Sequence, residues 1–172
     1  MANTNRPFGF EIISSTRKEY IQKFNNVASG IVFNPGDPVY LDSNGYQTST
    51  SGVILGIALS TVMDTNGVPA ASGGSGNNYS VLVNTDPNIL MVAQTTTFAV
   101  TDPYTCATRS ACFDIAGSTG VKHINAGATS LDDIIVIGLA TEKDSGIPSV
   151  VGAYAKVKCM FNPARHLLGK NS

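Results

Sequence analysis

The side chains able to ligate a metal or attack a carbonyl are few: two histidines, His123 and His166, and three cysteines, Cys106, Cys112 and Cys159, in 172 residues. Cys106 and Cys112 with His123 can be drawn as a zinc site, since thiolate and imidazole are zinc's usual ligands, but the spacing is that of neither a ribbon nor a finger. A Cys–His nucleophile pair needs a base held beside the thiol, and no motif surrounds either residue. Asp132-Asp133 precedes an apolar run and reads as a turn that opens a strand with a solvated face. Glycoside hydrolysis would need two such acids converging across a cleft. The GGSG run at residues 73–76 lacks the Lys-Ser/Thr pair and following helix of a phosphate loop. Asn78-Tyr79-Ser80 matches a glycosylation acceptor, which has meaning only in an exported chain. Lys23-Phe24 and the run from residue 154 to 161 place basic beside aromatic groups, as a single-strand groove does. No catalytic constellation emerges, and the expectation is a protein that is not an enzyme and holds no cofactor or metal.

Charge separates the partner classes. Net charge is −1, and charged residues make up only 13% of the chain, about half the usual ~25%. Residues 1–24 carry four bases and two acids (+2), residues 25–155 three bases and ten acids (−7), and residues 156–172 four bases and no acid (+4). Basic ends therefore flank an acidic middle. That pattern is either ordinary surface charge or a pair of ends facing an acidic partner surface. A total near zero with an acidic middle argues against direct nucleic-acid binding. No run reaches the ~18 apolar residues of a membrane helix, and residues 1–10 lack a signal peptide's apolar stretch. Use without export, and without a membrane, is expected. Three cysteines in such a chain do not form a disulfide framework; Cys159, in an alternating segment, reads as a small core residue.

The elements that must position these residues read as strands. The length fits one domain able to bury a core, and Gly, Ser, Thr and Asn fill the place of charge, which suits strands and turns. Residues 1–7 are polar, and residues 8–13 could start a first strand. Residues 14–29 are compatible with a helix capped by Thr16 and Glu19 but suit extended structure better. Residues 34–60 carry the strongest signals. Pro38 opens a strand because it cannot donate to a ladder, Asn44-Gly45 is the strongest hairpin signal, and residues 53–59 are apolar throughout, as in a strand covered on both faces. Residues 61–78 read as an exposed, flexible loop, and residues 79–84 and 89–93 as a hairpin turned by Asp86-Pro87-Asn88. Residues 102–114 read as loop, residues 117–128 as turn-rich, residues 131–141 as strand, and residues 144–148 as turn. Residues 152–161 alternate, with Ala153, Ala155, Val157, Cys159 and Phe161 on one face and Tyr154, Lys156, Lys158 and Met160 on the other. Short strands joined by Gly/Pro/Asn turns predict an all-β (mainly β) fold, a small β-barrel or sandwich with long loops and an extended N-terminal arm. The divisions expected are an arm over residues 1–10, one β-rich domain over 11–163 and a basic tail over 164–172.

Five stretches, in this order, carry a family likeness: RPFGFEII, VASGIVFNPGDPVYL, GVILGIALS, YSVLVNTDPNILMVAQT and IIVIGLATEKDSGIPSVVGAYAKVKCMFNPARH. In them the chain resembles the capsid decoration (cement, head-stabilising) proteins of tailed bacteriophages: an Arg-Pro-x-Gly arm, a Gly-Asp-Pro-Val strand, a Leu-Gly strand, paired strands around Asp-Pro-Asn, and a closing Ala-Lys-Val strand. It departs from them in its glycine-rich loop, in the two-cysteine segment 101–112 and in a more basic C-terminus. The resemblance implies a structural virion protein, made in the host cytoplasm, that binds the outside of the phage head and bridges and stabilises major capsid subunits, alone or as a dimer or trimer. The residues it points to for partner contact are Arg6, Pro7, Phe8, Phe10, Arg165 and Lys170. A different class stays open beside it: a glycan- or small-ligand-binding β-domain, an adhesion module on the virion surface, with loops 64–78 and 102–114 as its mouth.

Overall fold

Alternating apolar runs between proline- and glycine-bearing turns fold as strands throughout. The computed structural model describes residues 8–14, 17–43, 47–48, 52–70, 74–96, 112–125, 133–145, 149–150 and 152–168. The strands are β1 (Glu11–Ile12), β2 (Ile21–Ile31), β3 (Pro38–Leu41), β4 (Gln47–Thr48), β5 (Val53–Ala58), β6 (Met63–Asp64), β7 (Gly74–Asn84), β8 (Met91–Gln94), β9 (Cys112–Ala116), β10 (His123–Asn125), β11 (Ile134–Leu139) and β12 (Lys156–Phe161). A one-turn helix, α1 (Glu142–Ser145), links the last two. The fold is all-β, as its composition predicts.

Two six-stranded sheets form, in the orders β1-β8-β12-β11-β9-β10 and β2-β4-β3-β5-β7-β6. Among the described strands the pairings are antiparallel except between β2 and β4, with isolated parallel bridges joining Ile54 to His166 and Thr95 to Ile124. In the second sheet β2 also pairs along β7, so its pairings return to their starting strand. In the first, Thr95 bridges Ile124 and brings the end of β8 beside β10. Each sheet curls around its own core. Val27, Phe33, Val39, Leu55, Val81 and Val83 belong to the smaller one, and Phe10, Met91, Ile134, Val157, Cys159 and Phe161 to the larger.

β5 is the wall between them, which explains its unbroken apolar sequence. Ile54 and Ile57 enter the larger core, while Leu55 and Ala58 enter the smaller. Strict alternation would send Ile54 and Ile57 to opposite faces. A bulge resolves this: Val39 pairs with Gly56 and Tyr40 with Ile54, leaving one extra residue on β5.

The expected alternation of the closing strand holds from residue 156, with Val157, Cys159 and Phe161 buried and Lys156, Lys158 and Met160 half-buried. Residues 152–154 turn instead, Tyr154 taking φ 58°, and Ala153 is exposed, while Ala155 is buried in the larger core as expected. Complete burial of Cys159 pushes its thiol well above the ordinary range, so little reactive thiolate forms. Native protein at pH 8 is expected to leave Cys159 unmodified by iodoacetamide, with peptide mass spectrometry finding the label there only after denaturation.

Several expectations change. Asp86-Pro87-Asn88 does not close a hairpin, because β7 lies in the second sheet and β8 in the first. Thr85 gives both its N–H and its hydroxyl to the Tyr20 carbonyl, and Asn84 and Asp86 accept N–H groups two residues on. The chain is thereby held in a crossing between sheets, with Ile89 delivered to the larger core. The segment 61–78 is not simply loop: β7 begins at Gly74, β6 pairs with β7, and the Asp64 carboxylate fixes its turn by accepting the Asn66 and Val68 N–H groups. The segment expected as loop up to residue 114 becomes β9 from Cys112, the turn-rich segment contains β10, and the turn expected at 144–148 begins as α1. Of the segment 14–29, residues 21–29 are extended along β2, after a 3-10 turn at Lys18–Tyr20. The Asn44-Gly45 turn, residues 1–7 of the arm, Cys106 and the end of the tail lie outside the described residues.

Candidate partner interface

The first and last described segments, residues 8–14 and 162–168, are anchored by different means. At the N-terminal side, Gly9 takes φ +81° and its backbone comes against that of Gly36. Phe10 then donates its N–H to the Gly36 carbonyl at 2.9 Å, and its ring enters the larger core, 2% exposed. Phe10 is therefore core in this fold rather than contact surface, a correction to its expected role. Phe8, two residues earlier, is half-buried, its ring beneath the Lys156 ammonium at 5.2 Å. Between this segment and the β5 end lies a mostly apolar groove of about 350 Å³, lined by Phe8, Glu11, Ile12, Pro35, Ile57 and Leu59 among others.

At the C-terminal side the chain leaves β12 and turns over Asn162, whose carbonyl accepts the Arg165 and His166 N–H groups. Arg165 stays one-third exposed, with Nε 3.4 Å from Asp133 Oδ1 and Nη2 3.4 Å from the Gly52 carbonyl. Asp133 is fully buried, contrary to its reading as part of a solvated turn. Its other oxygen accepts the Tyr40 hydroxyl at 3.1 Å. Burial pushes the Asp133 carboxyl up against the opposing pull of Tyr40 and Arg165, and burial with the Asp133 charge drives the Tyr40 hydroxyl well above its usual range. This three-residue chain ties β3 in one sheet to the β11–β12 end of the other.

A second buried tie lies on the Gly-Asp-Pro turn. Asp37 is fully buried and accepts the Asn34 N–H at 2.9 Å and the Gly120 N–H at 2.8 Å. Lys122, itself buried, adds its charge, its own ammonium pushed down by burial, while burial raises Asp37. Both ties suit a rigid body better than a reactive site. His123 on β10 has Nδ1 3.3 Å from the Val121 carbonyl, and His166 is sealed beside β5. Among the described residues no three His, Cys, Asp or Glu side chains group to hold a metal, and no helix among them is long and apolar enough to cross a membrane.

Of the residues expected to touch a partner, Arg6, Pro7 and Lys170 lie outside the described residues. Phe8 and Arg165 are not brought together: Phe8 sits at the Lys156 start of β12 and Arg165 follows its Phe161 end. Five steps of about 3.3 Å separate those ends by roughly 17 Å. Sequence reasoning missed the Tyr40–Asp133–Arg165 chain and His166. The signal for the first was present, because Asp133 precedes one strand and Arg165 follows another, and antiparallel pairing of Ile134 with Phe161 places them side by side. No family model, no curated protein and no solved structure matches this chain.

Proposed function

We propose that this chain is a structural virion protein of the capsid-decoration type, bound to the outer face of a phage head and bridging neighbouring major capsid subunits. The ordered motifs from Arg6 to His166 support the reading, and one structural observation carries it furthest. Phe8, under the Lys156 ammonium, and Arg165, one-third exposed, lie at opposite ends of β12, so one body offers two separated basic points of contact. A bridge needs that separation. A ligand that binds only the assembled lattice stabilises it by mass action, and two modest contacts on one body reinforce each other.

Co-sedimentation with purified heads over a salt series tests this. Deleting residues 1–8, or making Lys170→Gln, is expected to weaken occupancy about tenfold (1.4 kcal/mol), with the full chain losing occupancy as salt rises. Occupancy that ignores both variants and salt would contradict it. Lys170 is the better tail probe, because changing Arg165 also disturbs buried Asp133.

The groove beside Phe8 favours a second, narrower reading as a small-ligand or glycan site on the virion surface, since a sugar can stack on such a ring. A glycan array with no binder would remove it.

A further inference from the structure

We propose that residues 162–168 form an acid-released clasp, in which neutral His166 locks the segment onto β5 and a proton on its imidazole lets the segment go. The inference concerns the isolated chain and does not depend on the capsid reading.

The clasp is a single rung of parallel sheet. Ile54 gives its N–H to the Arg165 carbonyl at 2.9 Å and accepts the Leu167 N–H at 2.8 Å, with His166 directly opposite. The imidazole between these bonds is 0% exposed and packs against the Phe161 ring, centroids 5.7 Å apart. Its Nδ1 lies 3.2 Å from the Leu168 N–H and accepts it. An accepting Nδ1 places the ring proton on Nε2. Nε2 closes no hydrogen bond among the described residues, although the Leu55 backbone lies beside it.

Adding a proton to Nδ1 has three local effects. It removes the acceptor of the Leu168 N–H, sets two donors against each other, and puts a charge where water does not reach. Burial outweighs the two neighbours that favour that charge, the Leu55 backbone and Asp86. β5 brings no titratable side chain. On β12, Lys156 and Lys158 are directed to Phe8 and Asp144, and Cys159 is a buried thiol. The acid whose charge reaches the ring is Asp86, already 3.5 Å from the Arg17 guanidinium, while Arg165 is engaged with Asp133. Leu167 and Leu168 are 38% and 43% exposed even when closed. What closure holds is the fully buried His166 ring on Phe161 and the Arg165 contact with Asp133.

Burial pushes the imidazole from 6.5 down to about 4. The closed clasp thus binds fewer protons than the open one between those values. Closure is at full strength above about pH 6.5, weakens as pH falls, and stops weakening below about 4. Across that window the closing equilibrium drops about 300-fold.

NMR on the full chain from pH 7.5 to 3.5 reads this directly, with imidazole ¹⁵N shifts for His166 and exchange protection for the Ile54, Leu167 and Val157 amides. The expected result is an Nε2–H tautomer at neutral pH and loss of Leu167 and Ile54 protection along the same curve as the imidazole titration, with Val157 in β12 still protected. His166→Gln, whose amide oxygen can accept the Leu168 N–H and does not titrate, should lose the part of the profile that follows the imidazole, leaving only what the Asp133 carboxyl under Arg165 contributes in both proteins. The wild-type measurement stands alone if that variant does not fold. Three results would overturn the clasp: titration of His166 near 6.5 with Leu167 unaffected, simultaneous loss of Val157 and Leu167 protection, or an unchanged pH dependence in His166→Gln.

Discussion

Gly56→Ala is expected to be severely damaging, costing more than about 4 kcal/mol and lowering the melting temperature by 10 °C or more at about 2–4 °C per kcal/mol. The backbone at Gly56 has φ +153°, and a Cβ built there would collide with the Asn84 carbonyl oxygen and lie 2.8 Å from its carbon. Both obstacles are backbone atoms, which cannot rotate away. Relieving the clash means separating β5 from β7 where Ile57 pairs with Asn84. It also means moving the bulge that lets β5 serve both cores, so the damage spreads to each. Gly30→Ala provides the contrast. Its φ is also positive, +74°, but nothing lies within 4 Å of an added Cβ, and the cost should be about 1–2 kcal/mol from the left-handed backbone alone. Thermal denaturation of the two variants side by side separates steric exclusion from conformational preference. Equal losses would contradict the central place given to β5.

The second large effect lies at Asp133. Asp133→Ala leaves the Tyr40 hydroxyl, on a residue 3% exposed, without its acceptor and takes the carboxylate from Arg165. Breaking a buried hydrogen-bonded pair in this way costs about 3–5 kcal/mol. Asp133→Asn keeps an oxygen for Tyr40 and should cost within about 1 kcal/mol, because burying the charged form is itself unfavourable. The pH dependence distinguishes these causes. Burial raises the folded carboxyl above its ordinary 3.8, so the folded state holds that proton more tightly than the unfolded chain does. The titration therefore contributes stability below about pH 3.8 and loses it as pH rises through the folded value. Denaturant unfolding at pH 4 and pH 7 should accordingly show Asp133→Asn gaining on the natural chain at the higher pH, and the reverse trend would contradict the burial argument.

Much of the fold was legible because it rests on local chemistry. Pro38 opens β3, the run from Val53 is apolar on both faces because both are covered, and Val157, Cys159 and Phe161 alternate into the core. What escaped depends on partners distant in sequence. Asp86-Pro87-Asn88 has the composition of a hairpin turn, and only the bonds from Thr85 to Tyr20, 65 residues away, direct the chain into the other sheet. Phe10 follows a polar arm and yet is core, since Gly9 and Gly36 allow two backbones to meet. Asp133 looks like a solvated turn acid until Tyr40, 93 residues away, closes on it. His166 has no motif around it at all; its burial follows from a strand rung that sequence periodicity does not encode.

The capsid-bridging account is tested most directly by the density this chain produces on an assembled phage head. The account predicts density on the outer face at the junction between neighbouring capsid subunits, with the Phe8 end and the Arg165 end of β12 facing different subunits and acidic surface beneath each. Density confined to a single subunit, or heads that carry none of this chain when it is supplied in excess, would contradict it.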